Sequence, residues 1–132
     1  MTSHTRLRSL GVSLATTALD VGLFALCTLF FAGGAALLAA RWLCGAVGAL
    51  ANFSLNRAWA FEGARGRGAL GQAGRYAVTS LLAITLASAI WWLLQLTTAW
   101  DPRALHLLSL GLIWLSFTFP VMRRWVFART ST

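Results

Sequence analysis

Long uncharged apolar runs, broken by short polar stretches, set the pattern of this chain. Residues 9–19 and 21–40 carry no charge and are divided only by Asp20; 76–100 carry none, and 104–122 none beyond His106. A bilayer core about 30 Å thick takes about 20 apolar helical residues to cross. The runs predict an all-α polytopic membrane protein with four transmembrane helices, over residues 9–31, 36–56, 75–96 and 104–122. Ala32-Gly33-Gly34 predicts the first turn, and residues 62–74, EGARGRGALGQAG, the main loop. Trp100-Asp101-Pro102-Arg103 predicts a polar turn, with Pro102 placed to start the last helix. No small-x-small cleavage site follows the first run in a polar setting, so it is expected to stay as a span rather than serve as a signal peptide.

Composition agrees with the pattern. The 132 residues make one domain by length, 58% hydrophobic and 11% charged, against roughly 25% charged in soluble proteins. So few polar residues cannot cover the surface of a soluble core. The net charge of +8 comes from eleven basic residues, all arginines, which sit between the apolar runs. That distribution points to membrane surfaces and anionic lipid rather than to nucleic acid. In a four-span arrangement Arg6, Arg8, Arg57, Arg65, Arg67, Arg75, Arg123, Arg124 and Arg129 fall on one side, and only Arg41 and Arg103 on the other. The excess of arginine in short segments predicts both termini and the central loop in the cytoplasm. Cys27 and Cys44 lie within apolar runs and read as small buried hydrophobes, without metal spacing.

Two strings repeat. ANFSLNRAWAF, residues 51–61, closes the second span, and FTFPVMRRWVF, residues 117–127, closes the fourth. One constant offset sets Phe53 on Phe119, Arg57 on Arg123, Trp59 on Trp125 and Phe61 on Phe127, and also sets 10–13 on 76–79. A duplicated two-helix unit accounts for this, about 8–61 and about 75–127. Two spans per unit give the copies one orientation, so they form parallel repeats about an axis along the membrane normal.

Polar side chains in hydrocarbon are costly, so their placement carries information. Asp20 is the sole acid inside a span, and Ser13, Thr16, Thr17 and Asp20 share one helix face. It serves either as hydrogen-bonded glue between helices or as a group in a water-filled cavity for substrate or proton. In the second span Gly45, Ala49, Asn52 and Asn56 form another stripe, and Gly45 with Ala49 predicts close helix approach. The amides either bridge helices or wall a cytoplasm-facing cavity. There Asn56 beside Arg57 suits a phosphate, since a guanidinium fork binds it bidentately. Thr85, Ser88, Trp92 and Gln95 share a face of the third span, as do Ser109, Ser116 and Pro120 of the fourth. Trp59, Phe61, Trp125 and Phe127 read as an interfacial aromatic belt, although the recurring Arg-x-Trp-x-Phe frame is more than a belt requires. The sequence has no nucleotide loop, metal cluster or nucleophile–base pair, so neither catalysis nor a cofactor is expected.

With ALDVGLF around Asp20 and the Asn-Phe-x-x-Asn-Arg-x-Trp-x-Phe string at 52–61, the chain resembles the GtrA-like family of small four-span membrane proteins. The second copy, with Arg123, Trp125 and Phe127, is similar as well, although Thr118 and Met122 stand where the first copy has amides and Pro120 intrudes. The resemblance implies flipping of a polyprenyl-phosphate-linked monosaccharide for cell-surface polysaccharide synthesis, in a bacterial cytoplasmic membrane. Arg57, Arg123 and Asn56 would then capture the anionic head, and Asp20, Asn52 and the hydroxyl stripes of the spans line its path. A homodimer or a membrane glycosyltransferase is the expected partner, because four spans enclose little volume. Two alternatives are a scaffold that recruits a glycosyltransferase without transporting, and a small proton-coupled multidrug-type exporter.

The orientation has a direct check. A green fluorescent protein fused after Thr132 is expected to fluoresce, and alkaline phosphatase at the same place to stay inactive. The opposite pair of results overturns the arginine-based topology.

Overall fold

The computed structural model describes residues 3–60, 69–121 and 124–125, and among them every regular element is helical. The helices are α1 (Ser3–Phe30), α2 (Gly34–Leu55), α3 (Ala69–Thr97), α4 (Pro102–Ile113) and the short α5 (Phe119–Val121). π-helical turns continue α2 at Asn56–Ala60 and join α4 to α5 at Trp114–Thr118. Stretches Leu7–Phe30, Gly34–Leu55, Leu70–Thr97 and Pro102–Val121 are long and apolar enough to cross a membrane. Helices are the available solution there, because hydrocarbon offers no partner for an open backbone N–H or C=O.

Helix ends differ from the apolar runs at both edges. α1 starts at Ser3 rather than near residue 9, and α3 at Ala69, so 69–74 of the expected loop are helical. Gly71 and Gly74 made that stretch read as loop. Each glycine costs a helix only about 1 kcal/mol, and extending a long helix is easier than ending it. Residues 61–68 lie outside the described residues.

The chain divides into two compact units, Met1–Arg65 and Gly66–Thr132. In the first, α1 packs on α2. The turn between them uses Gly33 at φ 111° and Gly34 at φ 68°, conformations that side chains other than glycine's disfavour. Contacts run antiparallel: Cys27 meets Cys44, Asp20 meets Gly48, and Arg8 meets Trp59. Val12, Thr16, Asp20 and Phe24 of α1 bury one stripe against Leu37, Ala40, Arg41, Cys44 and Gly48 of α2. In the second unit α3 packs on α4, burying Thr79, Ala87, Ser88 and Trp91 with Leu105, His106, Ser109 and Ile113. Asp101 caps α4 by accepting the Arg103 backbone N–H at 2.8 Å, with Pro102 in the first turn as expected. The Arg103 side chain also donates to both oxygens of Asp101, which holds that carboxyl below the usual range. Trp91 is anchored by its Nε1–H donating to the Pro102 carbonyl at 3.0 Å.

Large side chains such as Leu14, Leu29 and Leu43 stay exposed on α1 and α2, as lipid-facing residues must. The contact between these helices is instead made at small residues. Close approach of α1 falls at Gly48, while Gly45 and Ala49 are half-buried. A Cβ at Gly48 would stand 3.2 Å from the Asp20 Cβ and 3.5 Å from the Thr16 carbonyl oxygen.

Gly48→Leu is expected to destabilise the protein by about 1–3 kcal/mol through overpacking, read as a lower melting temperature in detergent. Gly22→Leu, where a Cβ meets nothing within 4 Å, is expected to leave it near the wild-type value.

Candidate functional site

Asp20 lies on the buried face of α1 and is 7% exposed. Gly48 opposite it has no side chain, so the carboxyl-bearing face of α1 can rest on the backbone of α2. Arg41 sits two turns from Gly48 on the same face of α2 and is 2% exposed. Asp20 acts on it electrostatically, and on Cys44 as well. Asp20 and Arg41 are the two charged residues in the buried set of the described residues. Cys27 and Cys44 bring their sulfurs to 3.9 Å beside them, as free thiols. Unit 1 therefore holds a carboxylate, a guanidinium and two thiols between two helices.

The sequence reading counted Arg41 only toward topology, on the same side as Arg103; the structure shows its burial. An arginine seven residues into a span can snorkel to the interface. Here it shares a helical face with Cys44 and Gly48, and that face is turned onto α1. The signal present in the sequence was this spacing: Arg41, Cys44 and Gly48 recur at helical intervals with Leu37.

The amides form a separate group. Asn56 Nδ2 donates to Asn52 Oδ1 along one face of α2. Asn56 begins the π-helical turn, and its Oδ1 is buried without a donor among the described residues. Eight residues separate Gly48 from Asn56, about 12 Å along a helix. The amide pair and Asp20 thus stand at different depths of unit 1, and Arg41 lies further still from the amides. Arg57 belongs to the π-helical turn by its backbone, but its side chain lies outside the described residues. Arg123, Phe61 and Phe127 lie outside them altogether.

The backbone carbonyls of both tryptophans of the repeated frame accept hydrogen bonds from arginines. Arg8 Nη1 donates to the Trp59 carbonyl at 3.4 Å, with its guanidinium 5.5 Å from the Trp59 ring centroid. Arg75 Nη1 donates to the Trp125 carbonyl at 3.2 Å. In each unit, then, an arginine at the start of the first helix holds the carbonyl of the frame tryptophan, whose ring remains exposed. Sequence reasoning counted Arg8 and Arg75 only toward topology. Their partners become visible once π-helical turns carry the frames past the straight helix.

Several hydroxyls expected to line a polar seam are satisfied within their own helices. Thr85 donates to the Leu81 carbonyl and Ser116 to that of Leu112, and both side chains are exposed. Thr17 is exposed too, whereas Thr16, on the buried face with Asp20, donates to the Val12 carbonyl at 2.9 Å. In the third span Trp91 is buried and Trp92 half-buried. The buried polar face of unit 2 is formed by Thr79, Ser88, His106 and Ser109, among the described residues without a buried carboxyl or guanidinium.

These features define a polytopic helical membrane protein with a carboxyl and a guanidinium group buried in one of its helix pairs. The chain belongs to the GtrA/DPMS transmembrane-domain family, whose model matches residues 8–127. Comparison with curated proteins and with solved structures finds no match. Family membership makes it a membrane protein of glycosyl-lipid-related processes.

Removing one member of a buried pair leaves a bare charge and typically costs about 3–5 kcal/mol, while removing both is far milder. Arg41→Leu is accordingly expected to melt well below the Asp20→Leu/Arg41→Leu double variant in detergent. A double variant as unstable as the single one would show that the two side chains do not depend on each other.

Proposed function

We propose that this protein moves a polyprenyl-phosphate-linked monosaccharide across the cytoplasmic membrane of a bacterium, without catalysing a covalent step. The observation that carries the reading is the burial of Asp20 on α1 and Arg41 on α2, within residues matched to the family. Ionisable groups at membrane depth are costly, and they mark substrate or ion pathways by default. A phosphate-linked sugar has an anionic head and an apolar tail that can remain in lipid. The head is what needs a polar path.

On this reading the cytoplasmic face supplies capture by Arg57, Asn56 and Arg123, where guanidinium and amide donors suit phosphate oxygens. Asn52 and Asp20 carry the path inward. The buried Asn56 Oδ1 is an acceptor that a sugar hydroxyl could satisfy. Trp59 and Trp125 anchor the frame at the interface, with Phe61 and Phe127 as its continuation. A second copy of the chain or a membrane glycosyltransferase completes the enclosure.

The reading is tested with purified protein in liposomes carrying a labelled polyprenyl-phosphate monosaccharide. Wild type is expected to move label to the far leaflet, and Arg57→Ala and Asp20→Asn to slow it at least about tenfold, about 1.4 kcal/mol or more. Failure of the wild type to move label while it retains a glycosyltransferase in a pull-down would make it a scaffold. Proton-driven uptake of a cationic drug instead would make it an exporter.

A further inference from the structure

We propose that Arg41 is an internal phosphate-binding station, and that Asp20 is the counter-anion that occupies it until a phosphate arrives. The nature of the phosphate carrier, an isoprenoid lipid, rests on the translocation reading above. The residue itself is assigned by geometry. Arg41 is 2% exposed, within a helix apolar enough to span a membrane, and its face is turned to α1. A guanidinium is the cation best suited to such a place: planar, weakly hydrated, and able to grip two phosphate oxygens at once.

A cation at this depth cannot be left bare between substrates. Asp20 meets that requirement from the facing helix, brought onto α2 by the missing side chain at Gly48. A carboxylate and a phosphate monoanion or diester compete for the same fork of donors. The exchange makes and breaks no covalent bond, since one anion replaces the other on Arg41.

Position along the helix explains why a second cation is useful. Arg41 is fifteen residues from Asn56, about 22 Å along α2. A head captured at the amide end must cross most of that distance, and among the described residues Arg41 is the buried cation available to receive it. Unit 2 has a histidine and serines on its buried face instead, His106, Ser88 and Ser109, with Ala87 between the helices. The station is therefore a property of unit 1.

The test measures binding of polyprenyl monophosphate to the full chain in phosphatidylcholine nanodiscs. If Asp20 competes for Arg41, Asp20→Asn tightens binding about tenfold or more, Arg41→Gln weakens it as strongly, and the Asp20→Asn/Arg41→Gln double variant is as weak as Arg41→Gln. Inorganic phosphate is expected to displace the lipid, and uncharged polyprenol to leave it bound. Displacement by polyprenol but not by phosphate overturns the proposal, as does unchanged or weaker binding in Asp20→Asn. Should Arg41→Gln fail to fold, thermal shift decides: added polyprenyl monophosphate must raise the melting temperature of Asp20→Asn more than that of wild type. Tighter binding in Asp20→Asn with no sugar movement by wild type keeps the station and removes the translocation reading. Sugar movement by wild type with unchanged binding in Asp20→Asn does the reverse.

Discussion

A carboxylate and a guanidinium enclosed between two helices constrain everything around them. Neither can be desolvated alone without a cost far beyond that of an ordinary surface pair. In unit 1 this places α1 and α2 together at the depth of Asp20, and it demands a residue without a side chain where they cross. Gly48 is that residue. In lipid the apolar side chains gain nothing by leaving one apolar medium for another, so helix association depends on such close, polar contacts. The exposed leucines of the same helices take no part in it.

Unit 2 shows what the scaffold looks like without that charge. Its first helix also begins with an arginine that holds the carbonyl of a frame tryptophan, and it also buries a hydroxyl-bearing stripe. Phe24 in one unit and Trp91 in the other fill the space between paired helices. In the second pair Trp91 donates to the Pro102 carbonyl, and Ser109 donates to that of His106 within α4. Similar frames thus hold different chemistry, which assigns the ionic interior to the first half of the chain.

The amides at Asn52 and Asn56 share α2 and its π-helical continuation with Arg41 and with Gly48, against which Asp20 of α1 rests. Read together, they describe a helix with polar groups at two depths, each aimed along the same general face. The π-helical turn at Asn56 widens the helix where the amides end, and such turns recur at functional sites because they redirect side chains and release carbonyls. One released carbonyl, that of Trp59, is taken up by Arg8.

The sequence by itself determined the class, the four spans, the turn at Gly33-Gly34, the helix start at Pro102 and the family. Hydrocarbon thickness and the need for internal hydrogen bonds make these properties of local stretches, readable without knowing what packs on what. Asp20 was legible for the same reason: an acid inside an apolar run stands out. Arg41 was not, because an arginine near the end of a span either snorkels outward or turns inward, and only the neighbouring helix decides which. The approach of α1 at Gly48 and the burial of Trp91 rather than Trp92 also belong to the crossing of two helices. The hydroxyls of Thr85 and Ser116 looked like a seam in the sequence because a helical face says nothing of what covers it; the tertiary structure leaves them exposed and bonded to their own backbone.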